Sequence, residues 1–238
     1  MLSDYGRPVR AVLIDIGMPI VDERGSYILL ERLVREILSR ELDRAVTDAE
    51  VGRARDEAIR SWAPSFTKAV LWHFLQPDKE RTHEVYLDLV ERFYSRLGEL
   101  PLTEGIAEVI PKLASKYVLA LAGNQPAIIG ERLERTGLMG YFHSRLVSDE
   151  LGFYKPDSRF FLALCDRIGV PPEECCMIGD RLDNDIYPAN VLGMRTIQLR
   201  MGPHAVQSPR MPEDVPDAVI ESIGQAPDVL DEWERSPS

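Results

Sequence analysis

Three aspartates stand where apolar runs of the sequence end. Asp15 lies near the end of the run at residues 9–16, and Asp180 and Asp185 lie in the segment GDRLDND that follows the run at residues 175–178. A carboxylate at the end of a buried strand is unfavourable unless it is paired or bound to a metal. Two or three such carboxylates, with backbone carbonyls and water, form the hard oxygen site that magnesium prefers. The sequence therefore predicts a Mg²⁺ site.

One lysine is the best candidate for a positive charge beside these carboxylates. Lys155 stands in GFYKPD, just ahead of a predicted helix, and the proline after it restricts its backbone. Its ammonium group would offset the acidic side chains and hold a phosphoryl oxygen of a substrate. For each feature taken alone a plainer interpretation stays open: Asp15 as a turn residue, GDRLDND as a helix cap, and Lys155 as a solvated side chain.

The elements that must position these residues alternate between strands and helices. Continuous apolar runs are typical of strands buried on both faces. They occur at residues 9–16, 117–122, 146–147, 175–178, 194–199 and 218–220. Helical patterns lie between them, at residues 106–113, 127–138, 157–168 and 184–192. This alternation predicts an α/β fold with a doubly wound parallel sheet of the Rossmann type.

One long segment breaks the alternation. Residues 23–97 contain long amphipathic stretches and no strand-like run. A helical insert directly after the first strand would lie over the carboxyl end of that strand, where open α/β sheets bind ligands. We therefore predict a helical cap domain at residues 23–97, and a core domain made of residues 1–22 and 98–238.

Aromatic and basic residues cluster within the predicted cap, in the segment SWAPSFTKAVLWHF. Trp62 and Phe66 would share one face if this segment is helical throughout, although Pro64 could interrupt the helix. Aromatic residues at helical spacing are usually core residues, and that is our first interpretation. Lys68, His73 and Arg24 are the candidates for contact with an anionic substrate.

The bulk composition disfavours several classes of protein. A net charge of −11 and a pI of about 4.9 argue against nucleic-acid binding. The N-terminus lacks an apolar signal core, and no apolar run approaches the roughly 20 residues that a membrane span needs. The cysteines at 165, 175 and 176 form no metal-ligand pattern, which favours reduced core thiols and a cytoplasmic protein. An exposed face of the cap could support a homodimer.

Taken in order, these residues resemble the four motifs of the haloacid dehalogenase (HAD) superfamily. The matching residues, in motif order, are Asp15, Asn124, Lys155, and Asp180 with Asp185. The helical insert is similar to the type-1 cap of that family, and the resemblance extends from about residue 9 to residue 233. It implies a HAD-like core with a helical cap inserted after the first strand.

The resemblance also implies an activity: a Mg²⁺-dependent hydrolase, in the first place a phosphatase for a small phosphorylated metabolite. Asp15 would attack phosphorus and form an aspartyl-phosphate that water then hydrolyses. The family pattern assigns Mg²⁺ to Asp15, Asp180 and the main-chain carbonyl of Gly17, with Asp185 helping directly or through water. Lys155 would orient Asp15 and neutralise developing charge.

Two positions depart from the pattern of the family's phosphatases. They usually carry a second, acid–base aspartate where this chain has Gly17, and such help is typically worth ~10²–10⁴-fold in rate. They also offer a Ser or Thr hydroxyl where this chain has Gly123. Backbone N–H groups at Gly123, with Asn124 and Lys155, then remain to bind the phosphoryl group. A leaving group of low pKa would suffer least, which favours a sugar 1-phosphate or an acyl phosphate.

Two alternative functions follow from these departures. A catalytically weak or non-enzymatic HAD-fold binding or regulatory protein would tolerate both Gly17 and Gly123. A carbon–halogen hydrolase of the haloacid dehalogenase type also lacks the second aspartate. Halide displacement needs no magnesium, however, and that branch of the family does not keep the carboxylate pair at Asp180 and Asp185.

Overall fold

The chain folds into two compact units. A computed structural model describes residues 8–99, 101–124, 133–145 and 152–235. One unit, here the α/β unit, comprises Met1–Asp22, Pro101–Ala205 and Pro209–Ser238. The other, here the helical unit, comprises Glu23–Leu100 with Val206–Ser208.

A six-stranded sheet with parallel pairings forms the centre of the α/β unit. Its strands are β1 Ala11–Ile14, β2 Val118–Leu121, β3 Phe142–Ser144, β4 Cys175–Gly179, β5 Arg195–Leu199 and β6 Ala218–Ile220. Their spatial order is β3-β2-β1-β4-β5-β6, so the chain changes direction across the sheet between β1 and β4. Ligands of open sheets bind at such a switch point. The predicted doubly wound parallel sheet is confirmed.

The α-helices are numbered here in chain order over the described residues. They are α1 Arg24–Glu41, α2 Asp48–Arg60, α3 Phe66–Leu75, α4 Lys79–Arg96, α5 Ile106–Ala114, α6 Ser158–Ile168, α7 Tyr187–Val191 and α8 Ala226–Arg235. The first four lie in the helical unit and the last four in the α/β unit. Within the described ranges, none is long and apolar enough to cross a bilayer.

The central strands are buried on both faces, as their continuous apolar sequences predict. All four residues of β1 are 0% exposed. Because successive side chains of a strand point to opposite faces, one strand contributes to two layers of core. On one face, Leu13 belongs to the same cluster as Phe160 and Phe161 of α6 and Met177 of β4. This packing fixes the strand ends from which the candidate site residues emerge.

The helical unit has a core of its own. On α1, the pairs Leu33 with Ile37 and Val34 with Leu38 lie on one face and are buried with residues of α2, α3 and α4. Helix α2 begins with a capping box, in which the Thr47 side chain accepts the Glu50 N–H and the Glu50 carboxylate accepts the Thr47 N–H.

The segment from Trp62 to Phe66 is not helical throughout, so these two residues do not share a helix face. Trp62 lies in the turn after α2 with φ +58°, and Phe66 is the first residue of α3. The helix restarts at Ser65, whose hydroxyl accepts the Lys68 N–H at 3.3 Å. The Phe66 ring instead contacts Tyr27, with 6.1 Å between ring centroids.

Other predicted elements differ in position or cannot be compared. The weak strand expected at residues 146–147 lies outside the described residues, and the observed third strand is Phe142–Ser144. The first half of the helix expected at residues 127–138, residues 127–132, also lies outside them. The helix expected at residues 184–192 begins instead with a π-helical turn, Leu182–Ile186, before α7. That turn carries one of the site aspartates.

Candidate active site at the sheet switch point

The three predicted carboxylates converge at the switch point of the sheet. Asp15 directly follows β1 and Asp180 directly follows the neighbouring strand β4. Each of Asp15, Asp180 and Asp185 places a carboxylate oxygen within 4.8 Å of the other two. The three residues are 8%, 3% and 0% exposed. Convergence follows from topology, because adjacent parallel strands end at the same edge of a sheet.

Lys155 lies between two of these carboxylates. Its Nζ donates hydrogen bonds to Asp15 Oδ1 at 2.7 Å and to Asp185 Oδ1 at 2.6 Å. Burial acts to lower the pKa of Lys155, but the two carboxylates outweigh it, so the pKa is raised. Burial raises the pKa of Asp185 to about 6, and the Lys155 ammonium opposes that rise. Lys155 therefore carries its charge in the folded protein.

The donor set fits a divalent cation. When ionised, three buried carboxylates exceed the single ammonium group by two negative charges. Like charges at this separation are unfavourable in a medium of low dielectric constant unless a cation lies among them. Carboxylate oxygens are hard ligands of the kind that Mg²⁺ takes. The side chains at positions 15, 180 and 185 therefore provide suitable ligands for it.

Asp185 reaches the cluster because residue 179 has no side chain. A Cβ at Gly179 would lie 2.3 Å from Asp185 Oδ2, which no real contact tolerates. That same oxygen accepts the Arg181 N–H at 3.0 Å. The π-helical turn thus folds the Asp185 carboxylate back against the end of β4. Sequence analysis missed this requirement for glycine, although the dipeptide Gly179-Asp180 is its visible signal.

In the turn after Asp15, the Gly17 carbonyl is one of those that receive no backbone N–H from the described residues. The Ile16 carbonyl accepts the Ile20 and Val21 N–H groups at 3.1 and 2.9 Å, and Met18 N–H donates to the Val21 carbonyl at 2.8 Å. Among the described residues, no backbone N–H bonds the Gly17 carbonyl. This leaves it free for the predicted role as a metal ligand, which stays a prediction.

Met18 and Thr103 hold this turn in place. Met18 has φ +69°, a left-handed conformation that suits glycine better than methionine. The Thr103 hydroxyl donates to the Met18 carbonyl at 2.6 Å from a position 85 residues further along the chain. Sequence analysis missed Thr103, because no local pattern marks a contact across such a separation.

Gly123 and Asn124, the two residues of the second motif, have different structural roles. Asn124 Nδ2 donates to the Lys155 carbonyl, and Lys155 N–H donates to Asn124 Oδ1, both at 2.8 Å. Asn124 therefore fixes the backbone of the lysine that holds Asp15. At Gly123 a Cβ would lie 2.5 Å from Ile16 Cδ1. The Ile16 side chain thus fills the space that a hydroxyl-bearing residue would need. Substrate contact by Gly123 and Asn124 stays a prediction.

The two oxygens of Asp15 have different surroundings. Oδ1 accepts the Ile16 N–H at 2.8 Å as well as the Lys155 ammonium. Oδ2 receives no hydrogen bond from any residue in the described ranges. One oxygen is therefore anchored while the other is left for a ligand or for attack on a substrate.

The basic residues expected to contact substrate lie apart within the helical unit. Lys68 lines a small depression with Trp72 and Tyr86. His73 lines a separate, larger groove with Arg44, one that also contains Glu50 and Glu57. Arg24 is the first residue of α1. The structure therefore does not bring Lys68 and His73 into one pocket.

Comparison with known families agrees with this fold. The haloacid dehalogenase-like hydrolase family matches residues 19–193 of the chain. The protein therefore belongs to the HAD-like hydrolases, as the four motifs predicted. Asp15 and Asp180 directly follow β1 and β4, as the ends of the apolar runs led us to expect.

Relatives of known name include both phosphatases and a dehalogenase. The chain is 41% identical over 102 residues to a glyceraldehyde 3-phosphate phosphatase of Methanopyrus kandleri (43% of this chain, 44% of the relative). It is 34% identical over 170 residues to a phosphoserine phosphatase of Thermus thermophilus (68% and 64%). It is 32% identical over 118 residues to an (S)-2-haloacid dehalogenase of Burkholderia cepacia (47% and 48%). The aligned parts cover less than two thirds of each relative.

A solved structure extends the similarity to nearly the whole chain. The HAD phosphatase of Thermococcus onnurineus superposes with a TM-score of 0.60 at 26% identity. The superposition covers 93% of this chain and 98% of that one. The overall architecture, with both the sheet and the helical insert, is therefore shared with a HAD hydrolase.

Proposed function

We propose that this protein is a Mg²⁺-dependent phosphatase that hydrolyses a small phosphorylated metabolite. The proposal depends on one observation above all: Asp15, Asp180 and Asp185 converge at the switch point of the sheet, where the Lys155 ammonium pairs with Asp15 and Asp185. Two relatives named as phosphatases support it. The same carboxylates argue against a carbon–halogen hydrolase, because halide displacement needs no hard oxygen site for a cation.

In the proposed reaction Asp15 is the nucleophile. Its Oδ2 attacks phosphorus, the ester P–O bond breaks, and the alcohol leaves with a proton taken from water, since Gly17 supplies no acid. Lys155 holds Oδ1 of the nucleophile and balances negative charge that develops in the transition state. Water then attacks the phosphorus of the aspartyl-phosphate, which releases inorganic phosphate and restores the carboxylate.

We assign the metal to Asp15, Asp180 and the Gly17 carbonyl, with Asp185 as a direct or water-mediated ligand. When bound, Mg²⁺ would offset the charges of the carboxylates and of a phosphoryl group. Asn124 contributes by holding the Lys155 backbone rather than through charge. We also propose that the helical unit serves as a cap that selects the substrate.

A second candidate, a catalytically weak HAD-fold binding protein, is favoured by one contact. Ile16 occupies the space in which a hydroxyl-bearing residue at position 123 would stand. The chain thus lacks both the acid at 17 and the hydroxyl at 123. Binding of a phosphorylated ligand would need neither of them.

A substrate panel separates the two candidates. Purified protein is assayed with glyceraldehyde 3-phosphate, phosphoserine, a sugar 1-phosphate, acetyl phosphate and p-nitrophenyl phosphate, each with Mg²⁺ and with EDTA. For a phosphatase we expect turnover that EDTA abolishes and that Asp15→Asn lowers by at least ~10⁴-fold. Asp166→Asn, the same change on the exposed face of α6, should keep full activity.

The opposite result is equally clear. If no ester is hydrolysed while Mg²⁺ still raises the melting temperature, the protein binds the metal and is not a phosphatase. If acetyl phosphate and p-nitrophenyl phosphate are the only substrates, the missing acid at Gly17 limits the enzyme to good leaving groups.

A further inference from the structure

The helical unit contains a small pocket that the proposed reaction does not use. It lies between α3 and α4, has a volume of about 160 Å³, and is mainly apolar inside. Its lining residues are Lys68, Trp72, Lys79, Thr82, His83 and Tyr86. A cavity of about 150 Å³ admits one benzene-sized ring. The pocket therefore has room for a single six-membered ring with a small substituent.

Helical periodicity places these residues on two facing surfaces. On α3, Lys68 and Trp72 are four residues apart and share a face. On α4, Lys79, Thr82 and Tyr86 recur at intervals of three and four residues and share another. Trp72 and Tyr86 are half-buried and supply flat apolar walls. The aromatic segment of α3 thus contributes to a pocket as well as to the core.

The lysines at this pocket differ from most of the arginines in the helical unit. Seven arginines of the helical unit lie within 4.0 Å of a carboxylate: Arg35, Arg44, Arg55, Arg60, Arg81, Arg92 and Arg96. Lys68 and Lys79 are the unit's lysines, and in the described ranges neither forms an ion pair. Both line the same pocket, in a chain with a net charge of −11.

Lys68 is held in place without being neutralised. Its Nζ lies 4.6 Å from the centroid of the Tyr86 ring, a cation–π contact that orients the ammonium and leaves its charge uncompensated. The Asp78 carboxylate, which is next to Lys79, caps the start of α4 by accepting the Arg81 N–H at 2.8 Å. Glu84, also on α4, pairs with the Arg81 guanidinium at 2.8 Å.

We propose that this pocket binds a small planar anion: one aromatic ring that bears a carboxylate or phosphate. The ring would lie against Trp72, and the anionic group would face Lys68 and Lys79. This site is separate from the acidic cluster in its residues and in its chemistry, since one binds an anion directly and the other a cation. The inference does not depend on the proposed phosphatase activity.

Titration of the full-length protein with benzoate tests the proposal. Indole N–H signals in ¹⁵N NMR spectra are followed, and a Trp72→Phe variant identifies the Trp72 signal. We expect saturable movement of that signal while the Trp233 signal stays fixed. Benzamide, a neutral ring of the same shape, and acetate, an anion without a ring, should each bind more weakly. Phenyl phosphate in place of benzoate shows which anionic group is preferred.

Charge-matched variants complete the test. Lys68→Gln/Lys79→Gln should raise the Kd for benzoate about fivefold, since each exposed charge contributes modestly. Lys112→Gln/Lys116→Gln removes two positive charges from the α/β unit and should leave the Kd unchanged. Three results would overturn the proposal: a Trp72 signal that does not move, benzamide binding as tight as benzoate, or equal affinity in both double variants.

Discussion

The candidate site has two halves, and only one of them has the side chains that a phosphatase of this family uses. The charged half is formed by Asp15, Lys155, Asp180 and Asp185. Its three carboxylates lie within 4.8 Å of one another, and the ammonium group bonds those of Asp15 and Asp185. In the other half, Gly17 stands where family phosphatases have an acid, and Ile16 packs where a hydroxyl-bearing residue would stand. In the proposed reaction, binding of a metal and a phosphoryl group depends on the first half, whereas protonation of a leaving group depends on the second. The chain thus has the charged side chains of the proposed site and lacks the acid–base group.

The largest expected effect on stability comes from removing the ammonium from the charged half. Lys155→Met keeps the length of the side chain but leaves two buried carboxylates facing each other. We expect unfolding in urea, without metal, to become easier by about 3–5 kcal/mol, because an uncompensated buried charge is strongly destabilising. The control Lys112→Met breaks only an exposed pair with Asp228 and should change stability by less than about 1 kcal/mol. Equal losses in both variants would contradict this account.

Magnesium should stabilise the charged half measurably. At a concentration of about 100 times its Kd, Mg²⁺ should raise the free energy of unfolding by about 2.7 kcal/mol. Asp180→Asn should abolish that response and, in EDTA, should raise stability, because it removes one of the repelling charges. Scanning fluorimetry with Mg²⁺ and with EDTA measures both effects. Asp183→Asn alters a carboxylate that pairs with Arg181, so its Mg²⁺ response should persist.

An aspartate at position 17 should supply the acid–base group that the second half of the site lacks. Gly17→Asp should raise kcat/KM for an alkyl ester such as phosphoserine by at least ~10-fold, and by less for p-nitrophenyl phosphate, whose leaving group needs little protonation. Gly17→Asn has nearly the same shape without the acid and should give no gain. Steady-state kinetics on both esters measure the effect, and an equal change on the two would refute the explanation.

The smallest effect is expected at the second motif. Gly123→Ser forces its Cβ against Ile16 and should destabilise the fold by about 1–3 kcal/mol. Ile16→Ala removes the obstructing atoms and should itself destabilise by leaving a cavity. If the two side chains compete for one space, the double variant should be more stable than the sum of the single losses predicts, by about 0.5–3 kcal/mol. Urea unfolding of all four proteins measures this coupling, and strict additivity would exclude a steric conflict.

Some features were predictable because they depend on short stretches of sequence. Continuous apolar runs identify strands buried on both faces, and the observed β1, β2, β4, β5 and β6 lie within or beside the expected runs. Apolar spacing left open whether a helix runs from Trp62 through Phe66, because the break there depends on the local turn and on capping by Ser65. The third strand, Phe142–Ser144, was not expected, and the run at residues 146–147 lies outside the described residues.

The amino-acid sequence by itself determined the fold class, the family, and the acidic and basic residues at the ends of the strands. Only the tertiary structure decided which distant residues meet: Lys155 beside Asp15, and Ile16 in the space beside Gly123. The physical reason is the separation along the sequence over which each effect acts. Periodicity and turn chemistry act over a few residues, whereas a contact across more than a hundred residues depends on how the sheet and helices pack.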